Sequence, residues 1–306
     1  MYLRVSLTDR CNLRCTYCLP EQAAFAATRA RYAELAELMA LVARAVPIGK
    51  IRLTGGEPTL SPHLVEAVGA ARRLAGEVVM TSNGLRLEPL LPALRAAGLD
   101  RVTVSLDAVD PDVFRAIARR DGLAQVLGAI RAVPRAGFPA PKVNAVATVD
   151  TDFAGLVRMA IAEGVHLRFI ELMAIGEARA DHAERFIPAE AQRERLALAG
   201  IRLRERADLD EPTSRVWAID GHDPARVSVG FITTVTRPFC ATCDRLRLSS
   251  QGRLHTCLMD DAGVDLLGPL RAGRPAEVVA RIRLAVAGKR PPAVMERVGV
   301  MAGIGG

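Results

Sequence analysis

Apolar residues in the first two-thirds of the chain follow two alternating patterns, short runs rich in β-branched residues and longer stretches with helical spacing. Residues 2–8 and 101–108 are typical of the predicted strands, and residues 31–46 and 152–164 of the predicted helices. The pattern gives six strands, five of them followed by helical segments, before it stops near Ala180. Alternating strands and helices predict an α/β fold, with a parallel sheet and helices on its outside.

Six strand–helix units are too few for a closed eight-stranded barrel. We therefore expect an incomplete, open TIM-type barrel of six βα units, with a doubly wound sheet as the alternative. Beyond the barrel, the pattern predicts a helix and then three strands and a late helix: 188–200, 214–221, 226–235, 252–259 and 275–289. We interpret the chain as two regions, a partial barrel over 1–205 and a smaller α+β region over 206–306 that closes the mouth of the barrel.

Composition narrows the class of protein. Half of the 306 residues are hydrophobic and a quarter are charged, which is typical of a soluble globular protein. The longest apolar stretches are interrupted by Glu37 and Arg44, and they fall short of the roughly 20 residues that a membrane span needs. The first ten residues lack the apolar core and cleavage site of a secretory signal. These features predict a cytoplasmic protein with no membrane partner.

The basic charge is almost entirely arginine, because the lysines are only Lys50, Lys142 and Lys289. A net charge of +7 favours anionic partners such as nucleic acid, anionic lipid or a phosphorylated small molecule. The aromatic content of 4% offers few stacking platforms for single-stranded nucleic acid. Because a solvent-exposed helix face also accounts for an arginine, each arginine has to be judged by its position.

The six cysteines form two groups of three. Their spacings are C-x3-C-x2-C for Cys11, Cys15 and Cys18, and C-x2-C-x13-C for Cys240, Cys243 and Cys257. Zinc sites usually have four ligands, whereas three thiolates on a [4Fe-4S] cube leave one iron open for a ligand that reacts. The first group is therefore predicted to hold an iron–sulfur cube, with a zinc site or a cysteine stripe on a helix as alternatives.

The first cysteine group, with Tyr17 before its last cysteine and GGEP at Gly55–Pro58, resembles the radical S-adenosylmethionine (SAM) superfamily. The resemblance implies that the open iron binds SAM and that one electron from the cube releases a 5′-deoxyadenosyl radical, which abstracts hydrogen from the substrate. It also implies SAM contacts at Tyr17, Gly56, Ser105 and Met173. The glycines fit this role because they let the backbone approach a ligand closely.

Three further segments, 2–18, 239–258 and Gly303–Gly306, are similar to the GTP 3′,8-cyclase family of molybdenum cofactor (molybdopterin) biosynthesis. The resemblance implies a lyase in which the radical abstracts H3′ of GTP and C3′ attacks guanine C8. The product would be (8S)-3′,8-cyclo-7,8-dihydroguanosine 5′-triphosphate, the first intermediate of that pathway. The resemblance further implies a second [4Fe-4S] cluster on Cys240, Cys243 and Cys257, whose open iron binds guanine.

Basic residues within the predicted strands are candidates for the triphosphate site. A charge in a parallel strand is expensive to bury unless it faces a ligand or partner, and arginine offers planar, multi-donor recognition of phosphate. The family resemblance implies a GTP-binding set of Arg4, Arg52, Thr81, Lys142, Arg245, Leu246 and Arg247. It implies a catalytic set of Arg168, Gly305 and Gly306, with the glycine pair inserted into the barrel mouth.

The resemblance also implies partners. These are GTP, an electron donor such as flavodoxin or ferredoxin, and cyclic pyranopterin monophosphate synthase as acceptor of the product; a homodimer is a further expectation. Ala174 and Asp244 depart from the family pattern, in which proline and asparagine are usual. Two alternatives stay open: a radical SAM peptide maturase with an auxiliary cluster, and a basic nucleic-acid-binding protein with metal knuckles.

Overall fold

The computed structural model describes residues 1–26, 29–292, 296–297, 299 and 301–304. Its first region alternates strands and helices, as the pattern of apolar residues predicts. The strands are β1 (Tyr2–Ser6), β2 (Lys50–Thr54), β3 (Glu77–Ser82), β4 (Arg101–Ser105), β5 (Lys142–Ala147) and β6 (His166–Glu171). The helices are α1 (Tyr32–Ala45), α2 (Leu64–Arg72), α3 (Leu91–Ala96), α4 (Pro111–Ala118), α5 (Leu123–Arg135) and α6 (Phe153–Glu163). All six predicted strands are confirmed.

The rest of the chain is built from shorter elements. Its strands are β7 (Ala174–Ile175), β8 (Leu203–Glu205), β9 (Arg215–Ile219), β10 (Ser228–Ile232), β11 (Arg245–Leu248), β12 (Arg253–His255), β13 (Val264–Asp265) and β14 (Glu296–Arg297). Its helices are α7 (His182–Arg185), α8 (Ala189–Leu198), α9 (Leu267–Arg271) and α10 (Pro275–Ala287). The predicted strands around 214–221, 226–235 and 252–259 and both predicted helices are confirmed. None of the helices in the described ranges is long and apolar enough to cross a membrane.

The first six strands form one parallel sheet in chain order, and the C-terminal region lengthens it at both edges. β11 pairs in parallel with β1, and β10 pairs in parallel with β6. In the described residues the sheet runs from β13 at one end to β8 at the other without closing. The open barrel is therefore confirmed. The C-terminal strands share its sheet, and the division into regions at residue 205 stays a prediction.

Alternation along each strand separates a core face from a cavity face. In β5, Val143, Ala145 and Ala147 are fully buried in the hydrophobic core, whereas Lys142 and Asn144 line an interior cavity. The helices cover the core face, so the apolar half of each strand stabilises the sheet. Polar side chains on the other half are left facing the inside of the barrel, where a ligand can reach them.

An aromatic cluster fixes the β10 edge of the sheet. Phe169 of β6 lies with its ring centroid 5.0 Å from Phe153 of α6 and 5.9 Å from Phe231 of β10. Trp217 of β9 packs edge-on against Phe231 at 5.0 Å. Such aromatic contacts add to the hydrophobic gain of burying the rings, and they hold the two C-terminal strands against the partial barrel.

Candidate active site

A cavity of about 750 Å³ opens inside the curved sheet and is lined by residues of all the parallel strands, β11, β1 to β6 and β10. Residues near the strand beginnings are largely cationic, whereas glycines and small polar residues stand at the strand ends. The first cysteine loop and part of the second border the same space. Most of the residues that the sequence singled out are thus brought to one wall.

The first cysteine group occupies the loop after β1. The carbonyl of Cys15 accepts hydrogen bonds from the N–H groups of Cys18 at 2.8 Å and Leu19 at 3.1 Å, which curls the loop. Cys11, Cys15 and Cys18 all border the cavity. The end of α4 anchors the loop through two backbone hydrogen bonds, Arg14 N to Ala118 O at 2.9 Å and Thr16 N to Ile117 O at 3.0 Å.

Burial sets the protonation state of these thiols. It raises the pKa of Cys18 to about 12, with the charges of Cys11 and Asp107 as smaller causes. Burial likewise raises the pKa of Cys11 and of Cys15. The thiols are therefore neutral near pH 7 unless a bound cation stabilises their thiolates, as an iron–sulfur cluster does. Donor type and position fit a cube held by these three residues.

The second cysteine group lies between β10 and the segment after β12. Cys240 opens a short 3-10 turn, Cys240–Thr242, which Cys243 follows directly. Burial, followed by the charges of Cys257 and Cys243, raises the pKa of Cys240. Cys243 borders the cavity, whereas Cys240 and Cys257 do not line it.

In the described part of the chain, no group of three or more His, Cys, Asp or Glu side chains is arranged to hold a metal ion. A [4Fe-4S] cube binds each thiolate through a different iron, so its ligands are spaced more widely than those of one ion. The second set of three thiols fits such a cube by donor type. Both sets of cluster ligands stay predictions.

The two glycines of GGEP are required by the cysteine loop. A Cβ atom on Gly55 would lie 2.6 Å from the carbonyl oxygen of Thr8, and one on Gly56 would lie 2.3 Å from that of Arg10. The N–H of Gly56 donates to Thr8 O at 2.6 Å, and that of Glu57 donates to Arg10 O at 2.8 Å. The glycines therefore let β2 dock onto the loop that leads to Cys11, and Gly56 also borders the cavity.

Glu57 ties the end of β2 to the end of β3, a role that the motif alone does not indicate. Its carboxylate is buried and accepts hydrogen bonds from Ser82 Oγ at 2.8 Å and Asn83 N at 2.7 Å. It also accepts from Thr59 N at 3.0 Å and Thr59 Oγ1 at 2.7 Å. These bonds fix the TSNG segment beside the cysteine loop, where Asn83 Nδ2 lies 3.8 Å from the sulfur of Cys11.

The four residues implied as SAM contacts all line the cavity near the strand ends. The Tyr17 hydroxyl donates to Asp107 Oδ2 at 2.6 Å, and Asp107 Oδ1 accepts from Val146 N at 2.8 Å. Burial raises the pKa of Tyr17 well above its ordinary value. Asp107 thus links the cysteine loop to β4 and β5, and sequence reasoning did not assign it. Ser105 ends β4, and Met173 follows β6.

A cluster of cations fills the other part of the cavity wall. The predicted members Arg4, Arg52, Lys142, Arg168, Arg245 and Arg247 all line it, and so does Thr81. Strand register places Arg4 beside Arg52 of β2 and Arg247 of β11. Arg52 Nη1 donates to Thr81 Oγ1 at 2.7 Å. The alternation predicted for Arg245 and Arg247 is confirmed, since both reach the same cavity.

Sequence reasoning missed Lys50, Arg101 and Tyr2, which also line this part of the cavity. The Tyr2 hydroxyl accepts a hydrogen bond from Nε of Arg52. Its ring lies 5.4 Å from Nζ of Lys50 and 5.8 Å from the guanidinium carbon of Arg245. Cation–π contact explains how one aromatic ring keeps several cations together. All three residues stand at the first position of a strand, and this shared position in the sequence could have identified them as neighbours in the cavity.

The crowding of cations on this wall makes each of these arginines and lysines harder to protonate. Burial is the largest cause that lowers the pKa of Arg4 to about 10 and that of Arg168 to about 9, and neighbouring arginines contribute to both shifts. Burial, together with Arg168, Arg101, Lys50 and Arg52, lowers the pKa of Lys142 to about 7. An anionic ligand would relieve the repulsion, so the wall is suited to a group that carries several negative charges.

Three predicted site residues differ from the rest. The Leu246 side chain is fully buried in the hydrophobic core and points away from the cavity, so only its backbone is left to meet a ligand. Gly305 and Gly306 lie outside the described residues. The chain just before them is described: Met301 lines the cavity, and the 3-10 turn Met301–Ile304 packs against β1.

Comparison with family models divides the chain into two parts. Residues 5–152 match the radical SAM superfamily, and residues 165–295 match the family described as Molybdenum Cofactor Synthesis C. The structure of Streptococcus suis SuiB bound to its precursor peptide SuiA resembles 65% of this chain and 45% of that one. The TM-score is 0.53 at 16% sequence identity, so this likeness bears on the fold alone.

Full-length relatives are much closer in sequence. The chain is 40% identical to a GTP 3′,8-cyclase of Streptomyces coelicolor, over 96% of this chain and 88% of the relative. It is 39% identical to the GTP 3′,8-cyclase of Moorella thermoacetica, over 92% of this chain and 88% of that one. With a radical SAM segment that carries the first cysteine group, the chain belongs to the GTP 3′,8-cyclase family of radical SAM enzymes.

Proposed function

We propose that this chain is a radical SAM GTP 3′,8-cyclase, which converts GTP into (8S)-3′,8-cyclo-7,8-dihydroguanosine 5′-triphosphate in the first step of molybdenum cofactor biosynthesis. One observation carries the proposal: a single cavity is bordered by a three-cysteine loop at the strand ends and by a dense cation cluster at the strand beginnings. A substrate with a triphosphate at one end and a reacting sugar at the other matches this separation of charge and chemistry.

The first cluster belongs on Cys11, Cys15 and Cys18, and with SAM bound it supplies the one-electron cleavage that yields the 5′-deoxyadenosyl radical. Tyr17, Gly56, Ser105 and Met173 are the SAM contacts in this proposal. Gly56 presents backbone without a side chain, and Tyr17 is held in place by its hydrogen bond to Asp107.

The cations take the triphosphate. Arg4, Arg52, Lys142, Arg245 and Arg247 converge from four neighbouring or facing strands, and Thr81 adds a hydroxyl. Charge-assisted bonds from guanidinium groups to phosphate are short and strong, and several of them fix the position of the ligand. Leu246 contributes backbone only. Arg168 has the catalytic role in this proposal, as the family resemblance implies, and Asn144 Oδ1 accepts from its Nε at 2.9 Å on the cavity wall.

A second [4Fe-4S] cluster on Cys240, Cys243 and Cys257 is the part of the proposal that sets substrate choice, since its open iron would bind the guanine. The position of Cys243 at the cavity supports it. Insertion of Gly305 and Gly306 into the barrel mouth is supported by Met301, which lines the cavity four residues earlier.

We further propose flavodoxin or ferredoxin as electron donor, cyclic pyranopterin monophosphate synthase as the next enzyme, a cytoplasmic location and a homodimer.

Anaerobic reconstitution of the full chain, followed by incubation with GTP, SAM and dithionite, tests the proposal. We expect about eight irons per chain, 5′-deoxyadenosine formation that requires GTP, and a cyclised GTP product by mass spectrometry. Cys15→Ala should abolish SAM cleavage, whereas Cys257→Ala should retain some cleavage and give no cyclised GTP. Zinc in place of iron would favour the nucleic-acid-binding alternative, and deoxyadenosine formation without GTP would favour the peptide maturase.

A further inference from the structure

Glu211 is an acidic side chain within the cation cluster of the cavity. Its carboxylate forms an ion pair with Nζ of Lys142, and its Oε2 lies 3.0 Å from Nη1 of Arg168. Arg168 is already bonded through Nε to Asn144, so Glu211 takes up another part of its guanidinium. Two cations of the cavity wall are thus paired with one carboxylate of the chain itself.

The turn that carries Glu211 is closed on itself. Glu211 N donates to Ser214 O at 2.9 Å, and Ser214 N donates to Glu211 O at 3.1 Å. Asp210 Oδ1 accepts from Val216 N at 2.7 Å, which ties the base of the turn to β9. Pro212 and Thr213 border the cavity together with Glu211. The turn therefore presents its tip to the cavity, and the side chain can leave the cations without disturbing the sheet.

Three other acidic residues at this wall are engaged elsewhere. Glu57 and Glu171 are buried and accept hydrogen bonds from backbone N–H and hydroxyl groups. Asp107 accepts from Tyr17 and Val146. Of the described acidic side chains lining the cavity, Glu211 is the one that pairs with Lys142 and Arg168. A carboxylate held between a lysine and an arginine makes the contacts that a phosphate oxygen would make.

We propose that Glu211 is a built-in competitor that occupies a phosphate position between Lys142 and Arg168, so that every anionic ligand that uses this position must displace it. The inference rests on the proposed function. A tethered competitor weakens all anions by the same factor. Small anions such as pyrophosphate are thereby kept out of the site, whereas GTP, held by further contacts along its length, still binds.

The test is equilibrium binding under anaerobic conditions at fixed ionic strength, with GTP and with inorganic pyrophosphate as separate probes. Glu211→Gln keeps the size of the side chain but removes its charge. We expect it to bind both probes about tenfold more tightly, a change of about 1.4 kcal/mol. Glu211→Ala should show at least the same gain, and it serves as a second variant if Gln disturbs the turn. Asp208→Asn is the matched control, since Asp208 is exposed and pairs with Arg206 away from the cavity.

Unchanged or weaker binding of both probes by the folded Glu211 variants would overturn the inference, because Glu211 would then be holding Lys142 and Arg168 in place. A gain equal to that of Asp208→Asn would overturn it too, since a general charge effect would explain it. A different result would contradict the proposed function: the unaltered protein would then not bind GTP, whatever the Glu211 variants do.

Discussion

At the scale of single residues, the amine of Lys142 is only partly protonated near pH 7 in the ligand-free protein. Burial and the cations Arg168, Arg101, Lys50 and Arg52 lower its pKa to about 7, even though Glu211 is paired with it. A bound triphosphate would stabilise the protonated amine and raise that pKa. Binding well above pH 7 must therefore take up a proton, whereas binding well below pH 7 takes up almost none.

We therefore predict that GTP affinity falls as pH rises above 7, by up to about tenfold per pH unit, the slope of one proton. The measurement is the Kd for GTP between pH 7.5 and 9, where the nucleotide phosphates themselves are almost fully ionised. Lys142→Arg should flatten the profile at the lower end of this range, because an arginine in the same surroundings keeps its proton to a higher pH than a lysine does. An unchanged slope in Lys142→Arg would show that another group takes up the proton.

The residue scale also shows what the sequence could and could not reveal. Cysteine spacing and charges placed in strands are local signals, so the cysteines and most of the cations were predicted. Glu57, Asp107 and Glu211 act through partners that are 25, 90 and up to 69 residues distant along the chain, and no local pattern encodes such pairs. Leu246 lies between two predicted arginines, but alternation places its side chain in the core.

At the scale of elements, the six strands of the barrel were predictable because each is a compact apolar run between turn residues. The pairing of β11 with β1 and of β10 with β6 was not predictable, because edge pairing depends on contacts between residues far apart in the sequence. Two-residue strands such as β7, β13 and β14 leave no periodic signal at all. The sequence therefore predicted an open barrel but not which strands would flank it.

Lys289, just beyond α10, connects the elements that carry the second cysteine group. Its Nζ donates to the carbonyl of Arg245 at 3.0 Å and also to the carbonyl of Thr256. Arg245 follows Cys243 by two residues, and Thr256 directly precedes Cys257, so one amine holds both cysteine segments in place. A cation here also favours thiolate formation, and it lowers the pKa of the Cys240 thiol against the larger effect of burial.

We predict that Lys289→Met loses the second cluster and keeps the first. Iron content after reconstitution should fall from about eight to about four per chain, and cyclisation of GTP should stop while some SAM cleavage persists. Arg290→Met is the control, because Arg290 is exposed and bonds only to the nearby carbonyls of Ala287 and Lys289 among the described contacts. Full iron content in Lys289→Met would remove Lys289 from any role in holding the cysteine segments.

At the scale of the whole molecule, the two ends of the chain are joined at the outside of the barrel as well as in its sheet. Helix α1 packs against α9 and α10. Between them, buried Glu34 accepts from Arg271 Nε at 2.9 Å and Nη2 at 3.0 Å, and from Arg31 N at 2.7 Å. Since α1 follows β1 and α9 follows β13 along the chain, this contact joins elements at one edge of the sheet that lines the cavity.

Glu34 should therefore contribute stability that depends on pH. Hydrogen bonds from Arg271, then Arg31, hold the pKa of Glu34 well below its usual range. A lowered pKa gives stability that is complete above the unfolded-state pKa of about 4.3 and is lost as pH falls towards the folded value. At pH 7, Glu34→Gln should lower the free energy of unfolding by about 1 kcal/mol. In a protein of a few hundred residues, such a loss lowers the melting temperature by about 2–4 °C. The difference from the unaltered protein should shrink as pH falls below about 4.

Glu277→Gln, which loses only ion pairs with Arg274 and Arg281 at α10, should show a smaller change. Thermal unfolding followed by circular dichroism at pH 7 and pH 3.5 measures both effects, and a Glu34→Gln deficit of the same size at both pH values would mean that packing rather than charge joins the two ends.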